Sequence, residues 1–148
     1  KIITNDSHEL IMKKINLLKI NEQKVKIFKC EFDQMPKMIS EIDILILFFI
    51  GGISKIASCP TRMGEALAMK IPCIVNKGLG DLDLIVKKYK CGIMLEKLDN
   101  KTINDSLSKI HSINNDQSYF ENARTAAEAH FSLKKATKKY LNIYNDLS

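Results

Sequence analysis

Apolar positions in this chain fall into short runs of strand length separated by stretches of helical spacing. Lys1 to Thr4 reads as a short strand, and Asp6 to Glu9 has the D-x-x-E spacing of a capping box that opens a helix to about Lys19. Val25 to Cys30 alternates as a second strand, Met35 to Ile42 makes a short helix, and Asp43 leads into the strand I-L-I-L-F-F-I. A run apolar on both faces belongs in the middle of a parallel sheet. Gly51 and Gly52 end it, and the loop G-G-I-S-K-I-A leads to a helix that Lys70-Ile71-Pro72 closes. Cys73 to Val75 is the next strand, followed by N-K-G-L-G. A helix from Asp81 to Tyr89 is terminated by Cys91-Gly92, and Ile93 to Leu95 is a last short strand. From Asn100 onward the period is helical, over about Lys101 to Ser112, Gln117 to His130 and Ser132 to Asp146.

This order predicts an α/β fold: a doubly wound, Rossmann-like parallel sheet of about five strands with three additional C-terminal helices, all in one domain over 1–148. Ligands of such sheets sit at the carboxyl ends of the strands, where the Gly51 to Cys59 loop lies. The helix after that loop, S-C-P-T-R-M-G-E-A-L-A-M, starts with Pro60 suited to the first helical position and with Ser58 and Cys59 flanking or capping it. Its first-turn amides and dipole make a site for phosphate. Met63, Ala66 and Leu67 share one side; Ser58, Thr61 or Arg62, Glu65 and Ala68 share the other. Arg62 with Glu65 also reads as an exposed i,i+3 ion pair. Gly64, in mid-helix, predicts the close approach of another backbone.

Charge and cysteines add little to this. The formal charge of +6 favours anionic partners, although the lysines are scattered among isoleucines and asparagines. Four cysteines without a CxxC pair, three of them in or beside predicted strands, read as reduced thiols of a cytoplasmic protein. No run is long enough to span a membrane, and no signal peptide is evident. His8, His111 and His130 are dispersed over helices and read as ordinary packing or surface residues; Asp81 and Asp83 read as first-turn helix residues.

The series D-I-L-I-L-F-F, loop, S-C-P-T-R-M-G-E-A-L-A-M-K-I-P-C-I-V-N, G-L-G-D-L-D-L-I-V and C-G-I-M-L resembles the C-terminal, donor-binding half of GT-B glycosyltransferases, in particular the retaining group 1 family of bacterial polysaccharide and glycolipid synthesis. The likeness covers nearly the whole chain. It implies that Glu65 matches the second glutamate of an E-x7-E motif, which binds the ribose hydroxyls. It also implies that Ser58, Cys59, Thr61, Arg62 and Lys55 face the donor diphosphate, and that Cys30, Glu31 and Phe32 lie near the base. The first motif glutamate, which touches the donor sugar in relatives, is replaced by Ala57. No catalytic residue is assigned.

The resemblance further implies a hexosyltransferase acting without metal or other cofactor. The acceptor domain that relatives carry is absent, so the 148 residues alone are expected to be inactive. The implied partners are a sugar nucleotide, the missing acceptor domain and an acidic membrane face at the cytoplasmic side, but not nucleic acid. Leu133, Tyr140, Leu141, Tyr144 and Leu147 on the last helix also predict self-association. Two rival readings stand beside this one: a degenerate, non-catalytic nucleotide- or partner-binding module, and half of a GT-B sugar-nucleotide epimerase. A receiver-type signalling domain is disfavoured, because Phe48-Phe49-Ile50-Gly51 offers no phosphate-accepting aspartate.

Overall fold

The computed structural model describes residues 1–50 and 52–147, apart from the side chain of Lys55. The chain forms two compact units, Lys1–Ile42 and Asp43–Ser148. In the first, β1 (Ile2–Ile3) pairs in parallel with β2 (Ile27–Phe28), with Ile2 opposite Ile27 and Ile3 opposite Phe28. Between them runs α1 (His8–Leu17), and α2 (Met35–Ser40) follows a 3-10 turn over Phe32–Gln34. Ile15, Met35 and Ile39 are its buried apolar residues. The capping box expected at Asp6 does not form. Ser7 takes the N-cap position without a side-chain bond, which puts Leu10, not Glu9, at the third helical position. The Asp6 amide donates instead to Thr4 Oγ1, at 3.1 Å.

The second unit runs β3 (Leu45–Leu47), α3 (Ile53–Ile56), α4 (Thr61–Ala68), β4 (Cys73–Asn76), α5 (Leu82–Tyr89), β5 (Gly92–Leu95), α6 (Asn100–Asn115), α7 (Ser118–His130) and α8 (Leu133–Asp146). Its sheet has the order β3-β4-β5 and is parallel throughout, with Leu45 opposite Cys73 and Cys73 opposite Gly92. The five strands and the three closing helices of the sequence reading are thus present, the strands as a pair and a triplet. The Ile44–Ile50 run, expected in the middle, supplies an edge of the triplet, and Ile46 is 53% exposed. The middle belongs to β4, all four of whose residues are buried. It has a ladder partner on each side and helices over both faces, whereas β3 is paired in this sheet to β4 alone.

Period-two alternation along β4 separates two cores. Cys73 and Val75 pack with Met63 and Leu67 of α4, Leu82 of α5 and Ala127 of α7. Ile74 packs on the other face with Ile93, Leu95 and Ile113 of α6. All four cysteines are free. The adjoining Cys91 thiol and burial push the Cys73 thiol well above its ordinary range, as befits an inert core residue. Among the described residues no helix is long and apolar enough to cross a membrane.

Three helices end on a lysine in the left-handed region: Lys19 (φ 54°), Lys70 (φ 64°) and Lys90 (φ 51°). After α4, the Lys70 amide donates to the Leu67 carbonyl (3.0 Å) and the Ile71 amide to the Ala66 carbonyl (2.9 Å), the paired bonds of a Schellman ending. Lys19 and Ile20 repeat them on Asn16 and Ile15. A Cβ in this conformation costs about 1–2 kcal/mol, partly offset by the larger unfolded-state entropy of glycine. Lys90→Gly is therefore expected to raise stability by ~1 kcal/mol, a few degrees in Tm. A thermal melt showing no gain or a loss would refute this.

Candidate functional site

The site is built where β3 ends. The Phe49 amide donates to Asn76 Oδ1 (2.8 Å) and the Phe49 carbonyl accepts from Asn76 Nδ2 (3.0 Å), so the side chain of Asn76 acts as one more rung of the β3–β4 ladder. This clamp holds the chain just before the loop, and Asn76 is itself buried. A cavity of about 400 Å³ opens at the carboxyl ends of β3, β4 and β5, lined by Phe49, Ile50, Asn76, Lys77, Glu96 and Lys97 among others. Lys77 and Glu96 pair there at 2.9 Å, which raises the lysine pKa and lowers that of the glutamate.

Beyond the clamp, α3 makes a single turn. Gly51 and the Lys55 side chain lie outside the described residues. Ser58 does not cap α4; its hydroxyl donates back to the Ser54 carbonyl at 2.8 Å. Pro60, expected as the first helical residue, occupies the N-cap position with extended backbone (ψ 111°) and no side-chain bond to offer. Its carbonyl accepts from the Met63 amide (3.0 Å), and no side chain caps the helix, so the Thr61 and Arg62 amides have no acceptor among the described residues.

The burial pattern of α4 follows the sequence reading. Met63, Gly64, Ala66 and Leu67 are buried, Arg62 and Glu65 are partly exposed, and Thr61 is exposed. Arg62 Nη1 donates to Glu65 Oε2 at 2.7 Å, the i,i+3 pair anticipated. Gly64 faces the ring of Phe131: a Cβ there would lie 2.6 Å from Phe131 Cδ1. The close neighbour is therefore an aromatic side chain and not the backbone expected. At the other end of α4, Arg124 Nη1 of α7 donates to the Ala68 carbonyl at 2.6 Å while its Nε pairs with Glu128 at 2.8 Å. A cation thus meets the negative pole of the helix, and the positive pole is left uncapped.

The turn after β4 supports the loop from behind. Gly80, at φ +49°, lies directly against the Ser58 carbonyl, and a Cβ would overlap that oxygen. Asp83 accepts from the Gly78 amide through both carboxylate oxygens (3.2 and 3.4 Å), and Leu79 is buried between. Cys59 is exposed, yet partial desolvation, with Asp81 as the second cause, pushes its thiol above the ordinary value. A helix N-terminus usually favours the thiolate; here Cys59 stays protonated at neutral pH and is no activated nucleophile.

Ser58, Cys59, Thr61, Arg62 and Glu65 are therefore gathered around the start of α4. Cys30, Glu31 and Phe32 belong to the first unit. There Cys30 Sγ donates to the Glu31 carbonyl at 3.2 Å and Phe32 is exposed. His130 Nε2 lies 3.2 Å from the Tyr89 hydroxyl with the rings edge to face, a packing role. Asp83 lies in the first turn of α5, as its position in the sequence suggests, and Asp81 at the N-cap. Asn76 and Gly80 are the supports that sequence reasoning did not single out; an asparagine closing the apolar strand C-I-V-N was the available signal. Among the described residues no group of three histidine, cysteine, aspartate or glutamate side chains is placed to hold a metal ion.

No protein-family model and no curated protein matches this chain. Solved structures do. Sucrose-phosphate synthase from Thermosynechococcus elongatus superposes with a TM-score of 0.73 at 14% identity, covering 98% of this chain and 37% of that one. A glycosyltransferase from Rickettsia africae gives 0.70 at 22% identity over 97% of this chain and 38% of that one. The chain therefore has the fold of one half of a GT-B structure. The chain also superposes on Anabaena HepE, a structure in complex with UDP, with a TM-score of 0.68 at 15% identity over 93% of this chain and 36% of that one. It spans well under half the length of each of these structures. In GT-B terms, the uncapped start of α4 and the strand ends of the second unit lie on the edge where open α/β sheets take ligands.

Proposed function

We propose that this chain is the nucleotide-diphosphate-sugar-binding half of a retaining glycosyltransferase of the hexosyl type, serving bacterial polysaccharide or glycolipid synthesis. The uncapped N-terminus of α4, with Arg62 and Glu65 on its first two turns, is the observation that carries this reading. The superposition on the UDP complex of HepE supports it. In this reading the Thr61 and Arg62 amides, the Thr61 hydroxyl and the Arg62 and Lys55 cations take the diphosphate. Ser58 and Cys59 shape the approach. One Glu65 oxygen holds Arg62 and the other accepts a ribose hydroxyl. Cys30, Glu31 and Phe32 remain the proposal for the base.

The leaving group of such a transfer is an anionic diphosphate. Donors fixed at a helix N-terminus and a cationic side chain stabilise the charge that develops on it, which lowers the barrier without a metal ion. Transfer itself belongs to a longer protein that also presents the acceptor, since the two substrates must be held together. That protein works in the cytoplasm at an acidic membrane face. A non-catalytic nucleotide-binding module is the second reading. Ala57, in place of the sugar-contacting glutamate, favours it.

Titration with UDP, GDP, ADP and CMP, followed by amide NMR shifts, tests the proposal. One nucleotide is expected to move the Cys59 to Glu65 amides, with Kd about 10- to 100-fold weaker in Glu65→Ala, the loss of one or two charge-assisted hydrogen bonds. Shifts confined elsewhere, or an unchanged Kd in the variant, would count against it.

A further inference from the structure

Among the described residues the Glu65 carboxylate has one hydrogen-bond partner, Arg62, through Nη1 to Oε2 at 2.7 Å. As a device for holding the helix together, this pair runs the wrong way round. Arg62 is the second residue of α4, where the helix dipole disfavours a cation, and the stabilising order places the acid before the base. Side chains on a helix lean toward its N-terminus, so Glu65 leans back over Arg62 and the unpartnered Thr61 and Arg62 amides. Glu65 Oε1 and the other guanidinium N–H groups have no partner among the described residues and are open to a ligand.

We propose that Arg62 is the positioning residue for Glu65, and that the bridge between them sets the preference of the site for a ribose bearing both hydroxyls. The inference rests on the nucleotide reading above and gives Arg62 a role beyond contact with the diphosphate. Two effects act in the same direction. A glutamate side chain has three rotatable bonds, and the bridge orders it before a ligand arrives, so that its bonds to the hydroxyls are not offset by lost rotamer freedom. The guanidinium also stands against charge repulsion: a bare carboxylate one turn, about 5.4 Å, behind a bound diphosphate is pushed away from it. Without Arg62 the carboxylate is both loose and repelled.

The test compares UDP, GDP and ADP with their 2′,3′-dideoxy forms on the parent chain and on Arg62→Met, which keeps the side-chain length without the charge. For the nucleotide that binds, the parent is expected to prefer the ribose form by ~10-fold or more, and Arg62→Met by ~2-fold or less. Both forms also weaken in the variant through the lost diphosphate contact, and any loss of folded protein scales the two alike, so the ratio isolates the effect on the hydroxyls. A ratio equal to the parent's would make Arg62 a phosphate ligand only and overturn the proposal. In Glu65→Ala the preference is already gone, and adding Arg62→Met is expected to change the ratio no further; a further fall would mean that Arg62 does not act through Glu65. If none of the three nucleotides binds the parent, the nucleotide reading fails and this inference with it, whereas binding with an unchanged ratio overturns the inference alone.

Discussion

Gly92→Ala is expected to cost about 3 kcal/mol or more and to leave the protein partly unfolded at 37 °C. Gly92 stands opposite Cys73 in the β4–β5 ladder, and its missing Cβ points into the Cys73 carbonyl. The obstacle is backbone of the central strand, which has no rotamer to change. Relief requires β5 to move off β4, which breaks ladder bonds such as the Cys73 amide to the Cys91 carbonyl (3.2 Å) and opens both cores at once. Urea unfolding gives the number; a midpoint within error of the parent would refute the argument.

Gly80→Ala should be the most damaging substitution for ligand binding that does not touch a ligand-facing side chain. Two effects add: the left-handed φ of +49°, which costs an L residue about 1–2 kcal/mol, and overlap of the new methyl with the Ser58 carbonyl. Gly78 separates them. Its φ is +90° and a Cβ there meets nothing within 4 Å, so Gly78→Ala carries the backbone strain alone. The excess of Gly80→Ala over Gly78→Ala, expected at ~2 kcal/mol, measures how firmly the turn braces the loop. The same excess should appear as a ten-fold or greater weakening of nucleotide affinity, because the displaced segment leads directly into α4. Equal effects of the two alanines on both stability and affinity would mean that the loop yields freely.

The alternation of strand runs and helical stretches was legible because it needs only local periods, and every strand and closing helix lies within a few residues of its predicted place. Helix endings were less legible. Cys91-Gly92 marks the end of α5 in the sequence, but the left-handed residue is Lys90, and Lys19 and Lys70 play the same part where no glycine stands. The rank of strands by burial also failed locally. Seven apolar residues in a row suggested the sheet centre, yet centrality depends on how many neighbours a strand has, which β4 satisfies with only Cys73–Asn76.

Within the site, the exposed and buried sides of α4 followed from spacing alone. The partner of Gly64 did not, since Phe131 lies 67 positions further along and only tertiary folding brings it there. The Asn76 clamp was likewise hidden: an amide that imitates a peptide group is indistinguishable in sequence from a polar strand end.

The environment of Cys59 makes the candidate site open to covalent footprinting. Of the four thiols, two are buried and Cys30 is half-covered in the first unit, while Cys59 sits exposed beside the first turn of α4. Its raised pKa slows alkylation, which gains speed as the pH is raised and the thiolate forms. A diphosphate seated on α4 would shield that sulfur, so the rate of carboxamidomethylation at Cys59, read by mass spectrometry against Cys30, would report occupancy for any candidate donor without a transfer assay.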